Sequence, residues 1–133
     1  MKHFLLTVLA STGMLLITLP AQAQYQPRED NPQYQHEVAG HNRLFDQIRD
    51  DLVLANTTAA PYSGDRDRVA LARDQLNECQ SAVDTGAYDS LTFSQTVSSI
   101  QRVIDLNRMT NRNRDYLVKD IGQLRDLQAQ LAG

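Results

Sequence analysis

Apolar side chains recur at steps of three and four residues along this chain, and this spacing constrains its fold more than any other feature. The clearest run contains Val69, Ala72, Leu76, Cys79 and Val83. These positions share one face of an α-helix, because an α-helix has about 3.6 residues per turn. The sequence holds no run of alternating β-branched residues that would favour strands. The pattern therefore predicts an all-α protein in which each helix buries one face.

Three further segments carry apolar residues at the same helical spacing. We predict helices over residues 42–55, 65–85 and 91–107, and a fourth from residue 110 to the end. Their short connections favour antiparallel neighbours. The predicted fold is an all-α, small antiparallel helical bundle of three to four helices over residues 41–133. The apolar positions outside the second helix are Leu44, Phe45, Ile48, Leu52, Phe93, Val97, Ile100, Val103, Ile104, Leu117, Ile121, Leu124, Leu127 and Leu131.

The ends of the predicted helices carry residues that are typical of caps. Gly86 lies just past the second helix, where a left-handed residue is favoured. Thr92 and Gln95 fit a capping box, in which the hydroxyl accepts from a backbone N–H and the Gln side chain reaches back. Thr110 and Asn113 fit the same pattern at the start of the fourth helix.

The first 23 residues have the three parts of a secretory signal peptide. A weakly basic start precedes an apolar run over residues 4–19, and Pro20 then interrupts that run. Ala21-Gln22-Ala23 supplies the small residues of a cleavage site. A membrane anchor is the alternative, but the run is short for a span and contains Thr, Ser and Gly. We therefore predict a signal peptide over residues 1–23 and a periplasmic or secreted protein.

The residues after the predicted cleavage site are rich in Gln, Asn and Pro and lack an apolar period. We predict a flexible leader over residues 24–40. The formal net charge of the whole chain is −3, with 16 acidic and 13 basic residues. A nucleic-acid binder or a polybasic membrane-surface module would usually show a basic excess. We therefore expect no nucleic-acid partner and no stable membrane insertion.

Two histidines at the end of the predicted leader, His36 and His41, resemble a metal motif at first sight. His36-Glu37-Val38-Ala39-Gly40-His41 is one residue longer than the H-E-x-x-H motif of zinc proteases. Histidines five residues apart point about 140° away from each other on a helix, since each residue turns by about 100°. The sequence therefore predicts no metal ligands here.

The chain has one cysteine, Cys79, which excludes an internal disulfide bond. Its position within the apolar run of the second helix favours a small buried side chain. An intermolecular disulfide in an oxidising compartment is the alternative interpretation.

The charged residues of the chain are interpreted as solvated faces and helix starts. Asp46 with Arg49, and Asp120 with Arg125, are predicted to be surface charge pairs. A basic cluster around the last connection is predicted to be solvated, with Arg108 near the negative end of the third helix. An anionic partner is the alternative for that cluster. The carboxylate pairs are Asp46 with Asp50, Asp65 with Asp67 and Asp84 with Asp89, and the basic cluster is Arg108, Arg112, Arg114 and Lys119.

The residues from Gly86 to Arg125 carry a series of motifs. They read G-A-Y-D, then the apolar positions of the third helix, then D-L-N, N-R-D-x-L and D-I-x-x-L-R. This region resembles a group of small secreted bacterial proteins of unknown function. The resemblance implies export and a helical bundle, and it implies no activity.

The stretch Leu91-Thr92-Phe93-Ser94-Gln95 fits the pattern L-T-x-x-Q. In this it is similar to periplasmic chaperones of the Spy and CpxP type, which are small, exported and all-α. Those proteins hold unfolding clients on an apolar and basic concave surface. This chain departs from them in having one good copy of the motif, no Met-rich face and an acidic net charge.

No glycine-rich phosphate loop, Ser-His-Asp set or cysteine-rich site is present in the sequence. We therefore predict no catalytic, cofactor-binding or metal-binding residues, no cofactor and no enzymatic activity. The predicted function is that of a non-enzymatic binding or structural module of the cell envelope, a monomer or weak dimer, with an unknown protein or envelope component as partner. The alternative is a periplasmic chaperone or stress-response protein of the Spy/CpxP type.

Overall fold

The part of the chain that the computed structural model describes, residues 32–57 and 64–133, consists of four α-helices and their connections. The helices are α1 (Pro32–Thr57), α2 (Gly64–Asp84), α3 (Ser90–Leu106) and α4 (Asn111–Ala132). No strand occurs within these residues, which confirms the all-α prediction. The predicted signal peptide and residues 24–31 of the predicted leader lie outside the described residues.

The four helices form a closed ring in which each helix packs against two others. α1 packs against α2 and α4, and α3 packs against the same two helices. The hydrogen bonds across the α1–α4 pair show its direction, because Gln47 bonds to Asp120 while Leu54, further along α1, bonds to the earlier residue Asn113. The two helices are therefore antiparallel, as the bundle prediction requires.

The apolar faces predicted from the sequence meet along the axis of the ring. Val69, Ala72, Leu76 and Cys79 of α2 are buried, and Val83 is half-buried. Fully burying one Leu, Ile or Phe side chain contributes roughly 1.5–3 kcal/mol, so this core is the main source of stability. The other buried apolar residues are Phe45, Ile48, Leu52, Ala55, Phe93, Ile100, Val103, Ile104, Leu117, Ile121, Leu124 and Leu127.

Besides Val83, three of the predicted apolar positions lie at the edge of this core. Leu44, Val97 and Leu131 are half-buried and pack against the buried cluster.

None of the four helices combines the length and the apolar character that crossing a membrane requires, within the residues described.

α1 begins at Pro32 and not at Asn42, which corrects the predicted start of the first helix. Proline suits the first position of a helix, because its missing N–H would have had no partner there. Residues 36–40 are mostly exposed, so this part of the helix buries little side-chain surface. Residues 32–40 of the predicted leader thus form the first part of α1. Asn42 lies inside the helix, where its side chain accepts a hydrogen bond from Gln80 at 3.1 Å.

The capping box predicted at Thr92 and Gln95 is wrong, because α3 begins one turn earlier. Asp89 is the N-cap, in extended backbone conformation, and its carboxylate accepts from the N–H groups of Leu91 and Thr92. Thr92 lies in the first turn, where its hydroxyl donates to the Asp89 carboxylate at 2.9 Å. These bonds lower the pKa of Asp89, and the bond from Leu91 contributes most. A carboxylate accepts more bonds than a hydroxyl and is favoured at the positive end of a helix.

The cap at Asp89 yields a prediction that separates it from the L-T-x-x-Q pattern. We expect Asp89→Ala to lower the midpoint of thermal unfolding by several degrees, because it leaves two N–H groups of α3 without their acceptor. Gln95→Ala should leave the midpoint unchanged, since Gln95 is exposed. The cap stabilises the fold above the ordinary aspartate pKa of about 3.9 and is lost as the pH falls below it. Equal midpoints for Asp89→Ala and the wild type at pH 7 would contradict the assignment.

Two other helix ends agree with the sequence. Gly86 has a φ of 69° after the end of α2, as expected for a left-handed C-terminal residue. Thr110 is the N-cap of α4 and accepts from the N–H of Asn113 at 3.2 Å. The side chain of Asn113 does not complete a capping box, because it donates instead to the Leu54 carbonyl of α1.

Candidate functional site

His36 and His41 both lie on α1, five positions apart. His36 is exposed and His41 is half-buried. Within the described residues, no group of three or more His, Cys, Asp or Glu side chains is placed to hold a metal ion.

Cys79 is fully buried with a free thiol, which agrees with its interpretation as a small core side chain. Burial raises the pKa of the thiol to about 11, and a hydrogen bond with Thr96 offsets part of this rise. The protonated thiol is a weak nucleophile, because the thiolate is the reactive form. The site therefore offers no thiol chemistry while the bundle is folded.

We expect Cys79 to react with an aromatic disulfide reagent at pH 8 at least about 100-fold more slowly than a solvated thiol, since both its burial and its raised pKa oppose attack. The rate of absorbance increase after mixing measures this directly. Addition of a denaturant should restore the rate of an ordinary thiol. A fast reaction in the native protein would contradict the buried position.

Asp65 is buried, which corrects its prediction as a solvated residue at a helix start; its exposed fraction is 7%. Its carboxylate accepts from the Arg68 guanidinium at 2.5 Å and from the backbone N–H of Arg108 at 3.1 Å. Asn107 donates to the Asp65 carbonyl at 2.9 Å and accepts from Arg68 at 2.6 Å. This end network of Asp65, Arg68, Asn107 and Arg108 joins the start of α2 to the end of α3. The other five members of the predicted carboxylate pairs are exposed.

Two arginines of the predicted basic cluster make contacts within the bundle. Arg112 donates to the Tyr116 hydroxyl at 2.7 Å, and its guanidinium lies over the Tyr116 ring. Arg114 donates to the Ile104 carbonyl near the end of α3, where the sequence analysis placed Arg108. A cation is favourable there because the last carbonyl groups of a helix carry partial negative charge. Arg112 and Arg114 thus have structural roles.

One side of the α1–α2 pair carries a second polar network. Arg49 forms the predicted ion pair with Asp46 at 2.6 Å. The same guanidinium donates across to α2, to Asn77 at 3.1 Å and to Gln80 at 2.7 Å. Ion pairs in such solvated positions contribute about 0–1 kcal/mol, so this network sets the register of α1 on α2 more than it adds stability.

The interface between α1 and α4, the α1–α4 seam, contains the most unusual polar group of the described residues, the carboxyl group of Asp120. Asp120, predicted to form a surface pair with Arg125, is fully buried, so that prediction is wrong. Its Oδ1 accepts from the Gln47 side chain at 2.7 Å, and Gln47 also donates to Gln123 at 3.0 Å. Its Oδ2 is buried without a hydrogen-bond partner.

Burial and, to a lesser degree, the nearby Asp51 carboxylate raise the pKa of Asp120 to about 7. The hydrogen bond from Gln47 and the charge of Lys119 act in the opposite direction. Desolvation and a like charge both disfavour the ionised form of a carboxyl group. Asp120 therefore titrates near neutral pH, where ordinary aspartates are fully ionised.

A shallow groove between α2 and α3 is a concave surface that the described residues present to solvent. Its volume is about 140 Å³. Leu71 is 47% exposed and forms an apolar wall, and Arg102 is exposed on the other helix. The groove thus offers a cation, a hydroxyl and an apolar surface side by side. Its lining residues are Asp67, Arg68, Leu71, Ser99 and Arg102.

The exposed apolar side chains are distributed over all four helices. Two lie on α1 and two on α3, while α2 and α4 carry one each. Single exposed apolar residues are ordinary on soluble proteins. They are Val53, Leu54, Leu71, Leu91, Leu106 and Val118.

Asp120 and Thr96 are buried polar residues whose burial was not predicted from the sequence. Asp120 lies three residues after Leu117 and four before Leu124, so helical spacing places it on the buried face. Thr96 likewise lies between Phe93 and Ile100, and its hydroxyl is within 3.0 Å of the Gln75 carbonyl of α2. The signal that could have found both residues is their position in the apolar repeat.

Comparison of the chain with protein-family models, with curated proteins and with solved structures gives no significant match.

Proposed function

We propose that this protein is an exported, non-enzymatic binding module of the cell envelope that holds a protein partner through the α2–α3 groove. The groove carries the proposal, because Leu71 and Arg102 offer an apolar surface and a cation next to each other. Arginine is enriched at protein interfaces, and the buried centre of an interface is more apolar than its rim. The matching partner surface presents an apolar side chain beside a carboxylate.

The use of the polar side chains within the bundle supports a role without catalysis. Asp65 and Arg68 join α2 to α3, and Asp120 is fully buried in the α1–α4 seam. Cys79 is buried as a protonated thiol. A catalytic group must reach a substrate in a plausible geometry, and these groups face other parts of the chain.

The distribution of apolar surface favours a binding module over a chaperone of the Spy/CpxP type. A chaperone of that type holds its clients on an apolar and basic concave surface. In this protein the apolar faces of the four helices close on one another, and the exposed apolar residues are spread over the whole ring. Gln95 of the L-T-x-x-Q stretch is exposed on α3.

Site-specific photocrosslinking in cells of the native host tests the proposal. A photoreactive amino acid replaces Leu71 in the groove, and Val118 on α4, 53% exposed, serves as the matched control position. We expect one protein adduct from position 71, with and without heat stress, and none from position 118. Arg102→Glu should abolish the adduct, because it reverses the charge of the groove.

Two other results would lead to different conclusions. Many adducts that form only under heat stress, from both positions, would support the chaperone alternative. An adduct from position 118 alone would contradict binding through the α2–α3 groove.

A further inference from the structure

The buried carboxyl group of Asp120 has a second carboxylate as a neighbour across the α1–α4 seam. Asp51 lies on α1, four residues after Gln47, so both side chains lie on one stripe of that helix. Gln47 donates to Oδ1 of Asp120, and the side chain of Asp51 interacts with the same carboxyl group. The seam therefore brings together two acids and one amide donor.

One oxygen of the Asp120 carboxyl group, Oδ2, has no hydrogen-bond partner unless Asp120 carries a proton. Gln47 satisfies Oδ1, whereas Oδ2 is buried and accepts no bond from any described residue. A protonated Oδ2 would become a donor, and the carboxylate of Asp51 is an acceptor on the facing helix. An ionised Oδ2 would instead be a buried negative atom beside another negative charge, which is costly.

We propose that Asp51 and Asp120 form a proton-operated latch, in which a proton on Asp120 fastens α1 to α4 and its loss loosens the α1–α4 seam. The latch is a carboxyl–carboxylate hydrogen bond that exists in the protonated state only. This inference concerns a different surface from the α2–α3 groove and goes beyond the proposed function.

The remaining charged groups around Asp120 fit this arrangement. Lys119 is exposed on α4 itself and favours ionisation, but its effect is the smallest of those that act on Asp120. Among the described residues, neither α3 nor α2 contributes a charged group that acts on Asp120. Asp51 is thus the neighbouring charge that opposes ionisation of Asp120.

The position of the seam makes loosening mechanically simple. α2 and α3, and likewise α3 and α4, are adjacent in the chain and joined by connections of a few residues. α1 and α4 are the first and last of the four helices in the described residues, and side-chain hydrogen bonds such as that from Gln47 to Asp120 join them on this side of the ring. A change in their pairing requires no change in the connections between helices.

The sign of the pH effect follows from proton linkage. An ordinary aspartate has a pKa of about 3.9, and burial raises that of Asp120 to about 7. The closed seam binds the proton more tightly than the open seam, so the latch is complete below about pH 4 and is lost as the pH rises to 7. The opening of the seam should increase about 10- to 100-fold between pH 5 and pH 8 and then level off.

Hydrogen exchange of the purified protein tests the latch. After correction for the intrinsic pH dependence of exchange, amides of residues 45–55 and 117–127 should exchange about 10- to 100-fold faster at pH 8 than at pH 5. In Asp120→Asn the rates should not change with pH, because the amide imitates the protonated acid. In Asp51→Asn the increase should be smaller, because the like charge is gone. The matched control is Asp46→Asn, an exposed acid of α1 that should keep the wild-type increase.

A second measurement on the unaltered protein keeps the test decisive if a variant fails to fold. The carbon-13 shift of the Asp120 carboxyl group should titrate near pH 7. A midpoint near the ordinary value of about 4 would overturn the latch. The same conclusion would follow if the exchange of α1 were independent of pH, or if Asp120→Asn kept the wild-type pH dependence.

Discussion

Leu124→Asp is expected to unfold the bundle. Leu124 is fully buried on α4, within the cluster to which all four helices contribute. Removing a buried leucine side chain costs about 2–5 kcal/mol, and an unpaired buried carboxylate adds a penalty of several kcal/mol. The whole stability of a domain of this size is about 5–15 kcal/mol. The variant should therefore show no cooperative melt of its helical circular dichroism signal.

The same substitution on the outer surface of α4 provides the control. Val118 is 53% exposed on that helix, and Val118→Asp adds the same charge to the same element. It should melt within a few degrees of the wild type, since surface substitutions usually change stability by less than about 0.5 kcal/mol. A cooperative wild-type melt for Leu124→Asp would refute the packing of α4 described above.

Asn107→Ala is expected to lower the free energy of unfolding by about 2–4 kcal/mol, because it removes two hydrogen bonds and leaves their partners unsatisfied. The partners are the backbone carbonyl of Asp65 and the Nε of Arg68. Asn107 is 4% exposed, so water replaces it poorly. Urea denaturation monitored by circular dichroism measures the loss, with an unchanged dependence on urea concentration.

Asn77→Ala is the matched control for the end network. Asn77 is exposed on α2 and accepts one hydrogen bond from Arg49 at 3.1 Å, in a network that water can replace. We expect this change to cost less than about 1 kcal/mol. Equal losses for the two variants would show that the end network has no special role in joining α2 to α3.

The helices and their buried faces could be predicted from the sequence because they depend on local spacing. Leu76 and Cys79 were placed in the core from their position in the repeat alone, and the structure confirms both. Gly86 and Thr110 marked helix ends correctly, because a left-handed glycine and a capping hydroxyl act within a few residues. The early start of α1 could not be read in this way, since residues 32–40 carry no apolar repeat.

The polar residues of the candidate site were predicted less well from the sequence than the helices were. Asp120 and Asp65 were assigned to solvent because charged residues are usually exposed, whereas both lie at positions of the apolar repeat. The Asp89 cap was missed because Thr92 and Gln95 fit a known pattern three residues later. The sequence placed both acids at defined positions of a helix, but it gave no information about the helix that faces each of them.

The sequence by itself determined that this protein forms amphipathic helices, where most of them end and which faces they bury, because these properties arise from neighbouring residues. Only the tertiary structure decided the chemistry of the buried polar groups. Gln47 and Asp120 are 73 residues apart in the chain and 2.7 Å apart in the seam. The pKa of Asp120 rises because packing removes water from it and places Asp51 opposite. Desolvation and the proximity of charges are properties of the packed ring, and they exist only once α1 has closed on α4.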